Sequence, residues 1–242
     1  MILLITKMIL AHFIGDFYLQ PSSWVQDKEQ KKHKSLYLYI HAAIHGALVW
    51  VLLWEWSAWK IALALAIVHF GIDWLKLVFQ KENTKRKWFF IDQLLHLVSI
   101  ILIANIYQNG YIIIDIAALL QSKNIIFVTG YVILTLPMSI IIQKTLMPWS
   151  DLIGEADDDS LLNAGKYIGI LERSFVFAFI LANRWEAVGF LLAAKSVFRF
   201  GDLKESKDRK LTEYILLGTL LSFGIAIVLS MLVFYVVSLI QY

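Results

Sequence analysis

Residues 36–54 read LYLYIHAAIHGALVWVLLW. The stretch carries no Asp, Glu, Lys or Arg, and it has about the 20 mainly apolar residues that a helix needs to cross a bilayer. A second run, LTEYILLGTLLSFGIAIVLSMLVFYVVSLI at 211–240, is longer still. With 59% hydrophobic residues over 242 positions, the chain is too apolar for an ordinary soluble domain of its size. These runs predict an all-α, polytopic integral membrane helix bundle.

Working outward, the apolar runs place about eight spans near 2–20, 36–54, 61–79, 88–107, 125–147, 161–182, 184–203 and 211–240. YIIIDIAALL (111–120) is too short to cross and is assigned to an interface. The opening MILLITK has its charge inside the apolar run and no small-residue cleavage site after it, so it is read as part of the first helix. With no linker in sight, the expectation is one membrane domain over 1–242. Its first part, 1–107, is a four-helix bundle, and 108–242 is a second helical half.

Charge sets the direction. DKEQKKHK (27–34), KENTKRK (81–87) and KESKDRK (204–210) hold most of the Lys and Arg, which puts them in the cytoplasm. Both termini then lie outside, and the Trp-rich WVLLWEWSAWK (50–60) sits at the outer surface, where Trp anchors helices. The acidic MPWSDLIGEADDD (147–159) also falls inside; Asp157–Asp159 is read as the cap of the sixth span. The net charge of +3 gives no sign of a nucleic-acid partner. The absence of cysteine excludes disulfides, thiolate catalysis and cysteine metal sites.

The two histidines of the opening stretch, His41 and His45, are four residues apart. The pattern recurs in AHFIGDFYLQ (His12, Asp16, Gln20), HFGIDWLK (His69, Asp73, then Lys76) and DQLLH (Asp92, His96). Residues so spaced share a helical face. In the topology above, all four pairs lie at a similar depth, roughly 6 to 15 Å from the cytoplasmic ends at about 1.5 Å per residue. The order H-x3-D, H-x3-H, then H-x3-D, D-x3-H suggests a duplicated helical hairpin.

Five imidazoles and three carboxylates facing inward from four helices match the way carboxylate bundles hold paired metals. The candidate ligands are His12, Asp16, His41, His45, His69, Asp73, Asp92 and His96. Such a mixed set suits one or two divalent transition-metal ions, zinc first, with iron or manganese as alternatives, over magnesium or calcium. Gln20, Lys76 and Gln93 are assigned supporting positions around them. A buried polar network alone is the competing account, each of its hydrogen bonds contributing only about 1 kcal/mol. Yet an Asp at the bilayer centre costs roughly 3 kcal/mol, and a bound cation offsets that directly.

The later helices carry charge as well. GILERS suggests an internal ion pair between Glu172 and Arg173, and LLAAKSVFRFGDLK puts Lys195 and Arg199 on one face, suited to an anionic group.

AHFIGDFYLQ, HAAIHG, VHFGIDWLK, DQLLH, GILER, GFLLAAKSVFRFGDLK and EYILLGTLLSF together resemble a bacterial and phage family of polytopic membrane proteins known as domain of unknown function 3307, over nearly the whole chain. The resemblance implies a bacterial cytoplasmic (inner) membrane location and supplies no catalytic residues. The style of the polar motifs is also similar to inner-membrane proteins described as metal-dependent hydrolases. From the residues, the leading expectation is a hydrolase in which the metal activates water against an anionic, phosphate-bearing or lipid-like substrate at the cytoplasmic leaflet. A zinc-type ion transporter is the alternative, and a membrane di-iron oxidoreductase the third. Membrane lipid is the expected surrounding partner.

Overall fold

The computed structural model describes residues 2–108, 116–150, 159–200 and 209–239, with side chains over 2–107, 123–149, 165–197 and 212–239. Among the described residues the structure is helical throughout, without strands. Ten helices follow one another: α1 (Ile2–Phe17), α2 (Ser22–Lys31), α3 (Leu36–Leu53), α4 (Trp59–Phe79), α5 (Lys85–Gln108), α6 (Ile116–Leu134), α7 (Leu136–Ser150), α8 (Asp159–Leu181), α9 (Trp185–Phe200) and α10 (Arg209–Leu239). Five stretches are long and apolar enough to cross a membrane: 36–53, 56–79, 82–107, 123–149 and 212–239. A sixth is reached if α1 and the helical segment that follows it, bent by 81°, count as one span. The chain divides into two compact units, Met1–Thr129 and Gly130–Tyr242.

In the first unit, α1 and α4 each pack on α3 and on α5, giving four helices around a common axis. Towards one end the axis is filled by Met8, Ala11, Val49, Ala58, Ile61, Ala62, Leu65, Ile100 and Ala104, all buried. Four of these are alanines. Within lipid, helices gain little from apolar burial itself and associate through close packing, which small residues permit. The α3–α4 turn at this end exposes Trp54 and Trp56, as expected of an interfacial belt.

At the other end the chain departs from the expected pattern. The first helix stops at Phe17, so Gln20 lies beyond it and does not continue the His12–Asp16 face. Pro21 is the cause: the residue before a proline is steered away from helical geometry. Pro21 then adopts an extended conformation and opens α2. DKEQKKHK is therefore mostly helix where a solvated loop was expected, and its Lys28 is buried at 6% exposure.

In the second unit, α8 packs on α7, α9 and α10. The expected span 125–147 is interrupted at Thr135, between α6 and α7. Pro137, lacking an N–H, stands at the second position of α7, where the missing donor costs nothing. Gly130 permits a close approach: a methyl group there would lie 2.5 Å from Val233 Cγ2 and 3.4 Å from the Phe177 ring. Residues 111–115, 151–158 and 204–208, which carry parts of the interfacial, acidic and basic segments read above, lie outside the described residues.

Candidate metal centre

All eight expected ligands meet inside the first unit. His12 and Asp16 come from α1, His41 and His45 from α3, His69 and Asp73 from α4, Asp92 and His96 from α5. Seven are buried, with exposures of 5% or less, and the Asp16 side chain is 10% exposed. Their nitrogen and oxygen atoms fall into three overlapping groups, each with all atoms within 4.8 Å of one another: His12, Asp16, His45 and His69; His41, His69 and Asp73; Asp16, Asp92 and His96. Asp16 belongs to two of these groups, and so does His69.

Asp16 is the hub. Its Oδ1 lies 3.0 Å from His45 Nε2, 3.2 Å from His41 Nε2 and 3.6 Å from His69 Nε2. Its Oδ2 accepts a hydrogen bond from Gln93 Nε2 at 2.8 Å, and Gln93 Oε1 lies 3.3 Å from His12 Nε2. Gln93 thus ties α5 to α1 as a supporting residue. Gln20 has no such contact among the described residues.

The other two carboxylates are split between two kinds of neighbour. Asp73 Oδ2 accepts from Lys28 Nζ at 2.7 Å, while its Oδ1 lies 3.6 Å from His96 Nε2. Asp92 Oδ2 accepts from Lys76 Nζ at 2.8 Å, while its Oδ1 lies 3.4 Å from the same His96 nitrogen. Each therefore offers one oxygen to a lysine and the other to His96, and the lysine-bound Asp73 Oδ2 also lies 3.8 Å from His41 Nε2. Lys28 was missed by sequence reasoning, since a lysine in a run of polar residues carries no mark of burial until the 81° bend is known.

The chemistry of the donors fits a divalent transition metal. His41 Nδ1, Asp92 Oδ1 and both ring nitrogens of His96 are buried and make no hydrogen bond. Leaving such groups unmatched costs roughly 1–3 kcal/mol each, and these are the atom types that ligate zinc, iron or manganese. Beside them is a cavity of about 20 Å³ lined by Met8, His12, His45, Val49, Leu65, His69, His96, Ser99 and Ile100, room for about one water molecule. Space for the His45 ring is provided by Gly15, where a methyl group would stand 2.5 Å from the imidazole.

The charged residues of the second unit are arranged differently from expectation. Glu172 pairs with Lys195, Nζ to Oε2 at 2.6 Å, in place of the expected Glu172–Arg173 pair. Arg173 donates instead to the carbonyls of Leu134 and Thr135 at 2.6 and 3.2 Å, and to the hydroxyls of Ser222 and Ser139 at 3.0 and 2.5 Å. Adjacent helical residues point about 100° apart and do not face each other, so the local pair was not available. Arg173 instead satisfies backbone oxygens where α6 breaks. The Arg199 side chain lies outside the described residues.

Residues 4–127 match the family described as "Protein of unknown function (DUF3307)", and the chain belongs to that family. The matched stretch contains all eight residues of the cluster. No curated protein matches the chain, and no solved structure does.

Proposed function

We propose that the chain is an integral membrane metalloprotein, a metal-dependent hydrolase that acts on an anionic, phosphate-bearing or lipid-like substrate at the cytoplasmic leaflet. The observation that carries this reading is the convergence of eight imidazole and carboxylate side chains from four helices, with both His96 nitrogens left without a hydrogen bond. The set would hold one or two divalent ions, zinc first. A bound ion there supplies a Lewis acid and lowers the pKa of water. The chain's own part is to fix the ligands: Gln93 holds Asp16, Lys28 holds Asp73, and Lys76 holds Asp92.

The surroundings of the cluster favour an enzyme over an ion carrier. One side is closed by Met8, Val49, Leu65 and Ile100, backed by further buried alanines and Ile61. The other side carries Lys28, Lys76, Gln80 and Glu29. An ion crossing the protein would have to pass the apolar side, whereas a hydrolase needs access from one side only. The accompanying topology has eight crossings, the first four a duplicated hairpin, with 27–34 and 81–87 in the cytoplasm and both termini outside, in a bacterial inner membrane. The recurrence of paired His and Asp residues four apart on α1–α3 and α4–α5 supports the duplicated hairpin.

The test is elemental analysis of the detergent-purified protein after extensive dialysis. Near one or two equivalents of zinc, iron or manganese are expected, reduced in both His12→Ala and His69→Ala. Metal content unchanged in both variants, or no transition metal even after its addition, overturns the centre. Weak, freely exchanging metal would favour transport.

A further inference from the structure

We propose that Lys28 and Lys76 form the seat for the anionic group of the substrate, and that this group is a phosphoryl oxyanion. The inference deepens the hydrolase reading and rests on it. It moves the anion-binding role from the second unit, where Lys195 is committed to Glu172, to the rim of the histidine cluster itself.

The first argument is charge. Asp16, Asp73 and Asp92 contribute three negative charges to the buried cluster, and Lys28 and Lys76 return two positive ones. One divalent ion makes the assembly net positive by one, and a second ion makes it more so. An excess positive charge in a poorly polarisable interior is costly until an anion joins it. The loaded centre is thus electrostatically incomplete without a negatively charged ligand.

The second argument is donor capacity. An ammonium has three N–H donors. Lys28 gives one to Asp73 and Lys76 one to Asp92; the described residues accept no more from either. The Lys28 side chain is only 7% exposed, so its unused donors are held away from bulk water. A divalent ion drawing charge from Asp73 and Asp92 weakens the hold of those carboxylates on the lysines, freeing donors for a further acceptor.

The third argument is position. Each lysine binds one oxygen of a carboxylate whose other oxygen approaches His96 Nε2. An oxyanion resting on the ammoniums is therefore one carboxylate away from the imidazole cluster, on the side away from the Met8–Val49–Leu65–Ile100 seal. Lysine acts as a compact point charge with rotatable donors and serves a tetrahedral phosphoryl oxyanion well.

The experiment is calorimetric titration of the zinc-loaded, detergent-solubilised full chain, first with inorganic phosphate and then with dioctanoyl phosphatidic acid. Zinc content is measured on the same samples. Lys76→Gln is the principal variant, because its side chain is 25% exposed and its loss is better tolerated than that of Lys28. Lys28→Gln and Lys76→Arg accompany it. Phosphate is expected to bind the wild type, about tenfold or more weakly in each glutamine variant, and to be largely retained in Lys76→Arg, every variant being compared with the wild type at matched zinc occupancy. Tighter binding of the phosphatidic acid than of phosphate would assign the oxyanion to a lipid head group, and equal binding to a soluble phosphoryl compound. Undiminished phosphate binding in Lys76→Gln at full zinc occupancy overturns the seat while leaving the metal centre standing. So does a zinc-loaded wild type that binds neither probe. A wild type that takes up no zinc, iron or manganese overturns the hydrolase reading, and the seat with it.

Discussion

The imidazoles of His45 and His69 stack with ring centroids 3.6 Å apart and 21° between their planes, and His69 stacks in turn on His96 at 4.0 Å and 20°. Three helices thus contribute to one column of rings. The column is kept by its neighbours: Gly15 leaves room beside His45, and Asp16 lies within 3.6 Å of His69 Nε2. A site built this way depends on shape as much as on ligand type.

Gly15→Ala should therefore disturb the centre without touching a ligand. The added methyl would lie 2.5 Å from the His45 ring, closer than the packing allows, and the ring must move. Retained metal is expected to fall by half or more in elemental analysis. Gly71→Ala is the control: nothing lies within 4 Å of its added methyl. Metal content there should be unchanged, with thermal stability equal or higher by up to about 1 kcal/mol from helix propensity.

Gln93→Leu should weaken metal retention by roughly 10–100-fold, the usual cost of losing a residue that orients ligands, because Asp16 loses its Gln93 donor. Gln20→Ala should change nothing. Competition with a graded series of chelators reads both. Equal behaviour of the two variants would mean that Gln93 does not orient the hub.

His96→Leu should lower stability as well as binding. It removes the ring that faces the buried Asp73 Oδ1 and Asp92 Oδ1 at 3.6 and 3.4 Å, so the metal-free protein should unfold earlier, by about 1–3 kcal/mol. The same change should abolish the stabilisation that added zinc gives the wild type, about 2.7 kcal/mol at a hundredfold excess over Kd. Melting curves with and without chelator check both signs.

Lys195→Met should destabilise the second unit by about 3–5 kcal/mol, since it leaves the buried Glu172 without its partner, and Glu172→Gln by less, since the Lys195 side chain is 23% exposed. The double variant should recover most of that loss. A double-mutant cycle in graded detergent denaturation measures the coupling; additivity would show that the 2.6 Å pair contributes little.

Much of the first unit was legible in the chain. The i,i+4 steps of His and Asp placed eight side chains on inward faces, and length alone identified the long helices. What spacing could not show was how the chain turns between helices. Gln20 fits the four-residue step numerically, but Pro21 ends the helix before it, a signal present in the sequence. Lys28 is different in kind: its burial comes from α2 folding back over the site, a tertiary event with no local mark. Glu172 and Arg173 were joined by adjacency, when their partners lie 23 and 34 to 49 positions away in sequence. Long-range pairing of isolated charges leaves no periodic trace. The break at Thr135 was likewise hidden inside an unbroken apolar run, with Pro137 its only sign.

The apolar seal of Met8, Val49, Leu65 and Ile100 makes the histidine cluster a cul-de-sac. Whatever enters must leave by the way it came, past Lys28 and Lys76. On the proposed reading, filling and emptying of the centre would answer to the composition of a single compartment, and a metal gradient across the membrane would have no purchase on it. Occupancy would then be a record of conditions on one face of the bilayer alone.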